Sequence, residues 1–278
     1  MTDKKDFEAW KVLFQKEQKG MSPDEMAYHP ISEISIPPYT PGTIDNGPYF
    51  PHTYSHFVHS FHIDNNSAIW LTELSDELKG YLIESTMGKI KSELDEKLIS
   101  SFGDNESENK QPKFRTHVEM PLILNFRDND VLTRVKKAMT NFEIMGGQSI
   151  AIIPGDDFIL NVGLIRGIQK YMNQRFGSSN SLQNASIFIP VHDGTIPGDE
   201  SLLIPLTNQF LSLMVVGIHR CIWDIRRVNE WQKANLTYLL NVPELLVREG
   251  KIFQGQDVIY GSGLFEELSD QVHQELIN

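Results

Sequence analysis

The sequence predicts an α+β fold. Helical periodicity is concentrated between residues 75 and 176, strand-like apolar runs crowd the stretch from 186 to 253, and a proline-rich arm precedes both. Four regions follow from this: an N-terminal helix and extended arm over 1–53, a hairpin loop over 54–73, a helical region over 74–185, and a strand-rich region over 186–278 that closes with a helix.

Phe7, Trp10, Leu13 and Phe14 share one side of a short amphipathic helix at the start. Residues 20 to 53 then hold seven of the fourteen prolines, Pro23, Pro30, Pro37, Pro38, Pro41, Pro48 and Pro51. That density blocks helix and central strand alike, so this arm needs another surface to lie on, and contacts with other subunits are expected to supply it. YSHFVHSFHID alternates as a strand, with Asp64-Asn65-Asn66 as a turn and Ser67 to Leu71 as its return.

Leu78, Leu82, Ile83, Met87, Ile90, Leu94 and Leu98 recur at three- and four-residue steps, which predicts one continuous helix from Ser75 to Phe102. Gly80 and Gly88 are its weak points, each costing about 1 kcal/mol relative to Ala. After the polar GDNESENKQPK, Asp128 or Asn129 caps a helix bearing Leu132, Val135, Met139 and Phe142, and Gly146-Gly147 end it. SIAIIP reads as a buried strand. Gly155-Asp156-Asp157 leads into a helix with Phe158, Val162, Ile165, Ile168 and Met172 on one side. ASIFIPV, SLLIPL, FLSLMVVGI and LTYLLNVPELLVREGKIF all read as strand-like, HDGTIPGD as a turn, and Phe265, Leu268, Val272 and Leu276 mark a final helix.

Composition narrows the function. The chain has 278 residues, 40% of them hydrophobic, enough for a sizeable core. No run approaches the roughly 18 apolar residues of a membrane span, and MTDKKDFEAW is not a signal peptide, so no membrane partner is expected. The single Cys221 excludes a disulfide framework and a multi-cysteine zinc site. A formal charge of −12 argues against specific nucleic-acid binding, whose footprints are clusters of Lys and Arg.

Taken in order, IWLTELSDELKGYLIESTMGKIKSELDEKLISSFGDN followed by DNDVLTRVKKAMTNFEIMGGQSIAIIPGDDFIL resembles the major capsid proteins of tailed phages and the related encapsulins, the Hong Kong ninety-seven fold. The resemblance covers about residues 54 to 172, and the segment HRCIWDIRRVNEWQKA has no place in it. It implies a capsid-type plate with an N-terminal arm, an extended loop, a long spine helix, a peripheral domain and a strand-rich axial domain. It also implies a structural, non-enzymatic protein of a virion, made in the host cytoplasm. Its partners would be copies of itself in pentamers and hexamers, with scaffold, portal or decoration proteins beside them. An encapsulin-like compartment, to which GQDVIYG bears a short likeness, and a soluble α/β enzyme with an unidentified pocket are the alternatives.

Chemistry in the residues is sparse, and no catalytic, cofactor-binding or metal-binding residue is assigned. Asp156 and Asp157 mimic a polymerase metal hairpin, but the simpler reading is a turn and helix cap. His52, His56, His59 and His62, with His29 farther back, could hold a metal; strand alternation points His59 away from His56 and His62, and Asp64 is the only acidic neighbour in sequence. Partly buried or interface histidines are the expectation. His219 and Cys221 could share a strand face, yet no third group orients the histidine, so Cys221 is expected to be a buried core residue. GLFEELSDQVHQELIN is amphipathic and acidic, an ordinary docked helix. IMGGQS lacks the Lys-Ser or Lys-Thr of a phosphate loop, so no nucleotide cofactor is expected.

Overall fold

The computed structural model describes residues 4–37, 57–63, 82–87, 115–117, 121–128, 130–144, 149–177, 185–191, 203–226, 236–250, 259 and 262–278. In chain order the elements are α1 (Lys4–Glu17), the ribbon strands β1 (Tyr28–Ile31) and β2 (Ile34–Ile36), then β3 (Val58–Ile63), β4 (Leu82–Met87), β5 (Arg115–His117) and β6 (Leu122–Asn125). There follow α2 (Val131–Ile144), β7 (Ile150–Ile153), α3 (Phe158–Phe176), β8 (Ser186–Pro190), α4 (Leu203–Met214), β9 (Arg220–Asp224), α5 (Leu236–Arg248) and α6 (Gly263–Ile277). Strands β3 to β9 form one sheet in the order β5-β4-β3-β9-β8-β7-β6, and every pairing in it is parallel.

This overturns the α+β expectation and the capsid-type plate with it: the chain is an α/β fold with an all-parallel sheet and helices interleaved between strands. The expected spine helix from Ser75 to Phe102 is interrupted by β4, which pairs with β3 along its whole length. LIESTM suits either state, because Leu82, Ile83 and Met87 fit a helical stripe while β-branched Ile83 and Thr86 suit a pleat. The glycines that the helix reading had to tolerate, at 80 and 88, flank the strand in sequence. The expected return strand, 67–71, lies outside the described residues; β3 already has a parallel neighbour on each side, β4 and β9, so no hairpin partner pairs with it there.

The strand-rich reading of the C-terminal region fails for the same kind of reason. Leu203–Met214 and Leu236–Arg248 are helices. An apolar run has no period to betray it when many of its residues are buried, and prolines such as Pro205 and Pro243 disfavour a helix interior. Pro205 falls in the first turn of α4, where its missing N–H has no partner to lose, and Pro243 is carried inside α5. Other elements stand as expected: α1, α2, β3, β7, α3, β8 and α6.

Strands buried on both faces explain the unbroken apolar runs SIAIIP and ASIFIPV. On one face a cross-strand row of Leu124, Ile152, Ile187, Cys221 and His59 is buried. It joins the main core with Leu132, Val135 and Met139 of α2, Ile165 and Ile168 of α3, and Phe210 and Leu213 of α4. The other face carries a separate cluster, Ala151, Phe188 and Ile222 with Ile153 against it.

Helices α3 and α6 pack closely because α3 presents Gly163 and Gly167 one turn apart. A Cβ at Gly163 would lie 2.2 Å from Leu268 and one at Gly167 2.4 Å from Val272. Across this contact Arg166 donates to Glu266 Oε1 at 2.6 Å, and Lys170 Nζ donates to Glu266 Oε2 at 3.1 Å, Ser269 Oγ at 2.6 Å and Asp270 Oδ1 at 2.8 Å. The other side of α6 takes the ribbon. Ile34 and Ile36 are buried, and the Gln271 amide accepts from Ser35 N–H at 3.3 Å while donating to Ser35 C=O at 3.1 Å. The part of the arm around β2 therefore rests on its own chain. Among the described residues no helix is long and apolar enough to cross a membrane.

Candidate functional site

Parallel strands all deliver their last residues to one edge of the sheet, and loops at that edge gather side chains from distant parts of the sequence. His62 lies at the carboxyl end of β3 and Asp224 at the carboxyl end of β9, and the two are direct register partners. The backbone pins them there: Ile225 N–H donates to His62 C=O at 3.1 Å and Val191 N–H donates to Asp224 C=O at 2.9 Å. The same cross-strand row contains Pro190 of β8, Thr86 of β4 and His117 of β5 as register positions.

Arg226 grips the carboxylate two residues before it, with Nε donating to Asp224 Oδ1 at 2.8 Å and Nη2 to Oδ2 at 2.7 Å. Such a two-pronged pairing fixes the carboxylate plane as well as its charge. Burial alone would raise the Asp224 carboxyl; the hydrogen bonds and charge of Arg226, with the charge of His62 added, outweigh it and hold the group below its ordinary value. His62 is 4% exposed, Asp224 is half-buried and Arg226 is open to solvent, so the pair lies where the buried sheet meets water at the strand ends. Asp224 and Arg226 were invisible as site residues in sequence, since they fall in the one segment with no recognisable pattern. The pairing of His62 with a residue 162 positions later needs the parallel register to reveal it.

The expected split of the histidines holds for the described pair. His59 points to the helix-covered face: Trp223 Nε1 donates to His59 Nδ1 at 3.2 Å, and His59 Nε2 lies 3.4 Å from Glu244 Oε1 of α5. Phe57, Phe210 and Trp223 enclose it. Burial lowers its pKa below the ordinary value, with Glu244 opposing. His29 is exposed on β1, and His52, His56 and Asp64 lie outside the described residues. Cys221 is fully buried and its thiol is pushed well up by that burial, so it is a core residue and no nucleophile.

Asp156 and Asp157 occupy a strand-to-helix turn after β7. Asp157 caps α3, accepting from Leu160 N–H at 2.9 Å, and also accepts from the Tyr28 hydroxyl. That hydrogen bond, with burial and the Asp157 charge added, pushes the Tyr28 hydroxyl up to about 12. Asp156 accepts from Gln209 Nε2 at 2.9 Å. Asn161, buried beneath, accepts from Gly155 N–H at 2.9 Å and donates to Gly155 C=O at 3.0 Å and to Ser212 Oγ at 3.1 Å. A Cβ at Gly155 would stand 2.9 Å from Phe126 C=O. The turn is thus a rigid wall beside the strand ends, and both aspartates are engaged in holding it. Among the described residues no group of three or more His, Cys, Asp or Glu could hold a metal ion. No protein-family model and no curated protein matches the chain.

Proposed function

We propose that the protein is an α/β enzyme acting on a small molecule at the carboxyl ends of its parallel strands, with His62 as the group that takes up and returns a proton. The observation that carries this reading is the direct pairing of His62 with Asp224, whose carboxylate Arg226 locks in place. A histidine facing an ionised carboxylate of fixed orientation is a proton-transfer device, since the carboxylate stabilises the imidazolium that forms when the ring accepts a proton. In this reading Asp224 and Arg226 are positioning residues. Parallel α/β sheets, open or closed, bind their ligands at this edge, which adds support. The capsid-shell expectation rested on a fold that the parallel sheet replaces, and the chain's charge of −12 disfavours a polyanionic substrate.

The test is a small-molecule library read by thermal shift and turnover, run on the wild type, His62→Gln and Asp224→Asn. A ligand that stabilises or reacts with the wild type and is lost in His62→Gln is the expected result. A ligand handled equally by wild type and His62→Gln would overturn the assignment, and closed particles in electron micrographs of the purified protein would overturn the enzyme reading as a whole.

A further inference from the structure

We infer that the sheet closes on itself into a ring, so that the face opposite the described crossover helices becomes its interior, with Ser60, Phe188 and Ile222 inside and the His62–Asp224 pair at its carboxyl mouth.

The first argument is reach. β5 and β6 stand at opposite ends of the strand order, yet His117 and Leu122 are joined by only the four residues 118–121. Five Cα–Cα steps cover at most about 19 Å. The edges of a flat seven-stranded sheet lie about 29 Å apart, at about 4.8 Å per strand. The sheet must curl until its edges meet.

The second argument is direction. From β3 to β4 to β5, and again from β6 to β7 to β8 to β9, each step moves the same way across the sheet. Right-handed crossovers that never reverse place all their helices on one face, whereas an open doubly wound sheet reverses once and is covered on both. The described crossover helices obey this: α2, α3 and α4 all contribute to the one core cluster that contains Leu124, Ile152, Ile187 and Cys221. Phe188 and Ile222 are nevertheless 3% and 4% exposed on the opposite face.

The third argument is register. Asn125 pairs with Ile153; Phe188, level with Ile153 by the Ile152–Ile187 pairing, pairs with Ile222, Ile222 with Ser60, Ser60 with Glu84, and Glu84 with Arg115. The row that leaves the 115–125 stretch at Asn125 therefore returns to it at Arg115, ten residues earlier. An even stagger is what closure requires, because an odd one would bring an inward-facing residue back facing the helices.

The described residues of this interior fall into two groups: Ala151, Ile153, Phe188 and Ile222 are apolar, while Ser60, His62 and Asp224 are polar. A ring of this size is filled by such side chains, and its carboxyl mouth, where ring-shaped parallel sheets place their chemistry, is where a small molecule would meet the His62–Asp224 pair. The use of the mouth rests on the enzymatic reading; the closure does not.

Closure is tested by spin-label distances in the full chain on a Cys221→Ala background, with far-UV circular dichroism confirming the fold. Labels at Met87 and Ser149 span the β5–β6 joint, and labels at Met87 and Arg226 span the β3–β9 seam. A ring places the first pair about 15 Å and the second about 10 Å apart between backbones. A sheet open at the joint would move the first pair to about 30 Å, and one open at the seam would move the second beyond about 30 Å. Two short distances support the ring; one long distance overturns it, whatever the ligand library shows. If Cys221→Ala does not fold, the same label pairs are introduced with Cys221 retained, since that thiol is fully buried and shielded from the labelling reagent, and the same two distances decide.

Discussion

Trp223 Nε1 donates to His59 Nδ1 at 3.2 Å, which leaves the imidazole proton on Nε2, 3.4 Å from Glu244 Oε1. A second proton would have to go onto Nδ1 and would break the indole hydrogen bond inside a fully buried aromatic cage.

A pH dependence follows. The folded-state pKa of His59 lies below 6.5, chiefly through burial, so the unfolded chain takes up a proton first as pH falls. This contribution to stability is present above about pH 6.5 and is lost on acidification toward the folded value. The thermal midpoint should fall between pH 7 and 5.5, and His59→Gln, although less stable at pH 7, should show a shallower fall. Equal slopes in wild type and variant would remove His59 as the cause.

Arg226→Met tests the grip on Asp224. Without the guanidinium, burial is left as the main influence and the carboxyl should titrate at higher pH, readable by NMR of the Asp224 side chain. The wild-type Asp224 contributes stability that is present above the ordinary carboxylate range and is lost only as pH falls through its depressed value. With its carboxyl raised by burial, Arg226→Met forfeits that stability at neutral pH, so it should be less stable than wild type at pH 7 and the gap should narrow as pH falls through the carboxylate range, read by urea unfolding at each pH.

The α3–α6 contact predicts a size limit. Gly163→Ala would set a methyl group 2.2 Å from the present position of Leu268, forcing the helices apart or the leucine off its rotamer. The expected cost is about 1–3 kcal/mol in urea unfolding. Gly20→Ala is a poor control because Gly20 has φ of 92°; Ser149→Ala, exposed and outside this contact, should cost far less.

The ion pair beneath that contact is more sensitive still. Glu266→Gln leaves Arg166, 1% exposed, without its counter-charge and should cost about 3–5 kcal/mol. Changing both together, Arg166→Met with Glu266→Met, should recover much of that loss in the same urea titration, since paired removal leaves no lone buried charge.

The elements legible in sequence were those whose pattern admits one period. α3 and α6 combine a clear three-four stripe with polar positions outside it, and β7 and β8 are too short and β-branched to be helices. The stretch around β4 failed because leucine, isoleucine and methionine at steps of one and four satisfy a helix and a strand equally, and the pairing that decides between them is made with residues 24 positions earlier. α4 failed because Phe210, Leu213 and Met214 are buried along with polar Gln209 and Ser212, which erases the polar face that marks a surface helix. Of the site, strand alternation marks His62 as a partly buried or interface histidine, and nothing in the sequence singles out Asp224. A two-residue spacing of aspartate and arginine is too common to signal anything until a histidine is found opposite.

The glycine-lined groove on α3 has a consequence for synthesis on the ribosome. The helix that fills it, Gly263–Ile277, is the last element in chain order, and it also carries the Gln271 that holds the ribbon strand Ile34–Ile36. Between the emergence of Gly167 and that of Ile277 lie 110 residues of translation, roughly 5–20 s at ordinary elongation rates. For that interval α3 exposes a bare apolar seam, Arg166 is without Glu266, and the ribbon has no Gln271 to rest on. Until Gly263–Ile277 has been made, the groove is therefore an apolar surface of the kind through which partly folded chains associate.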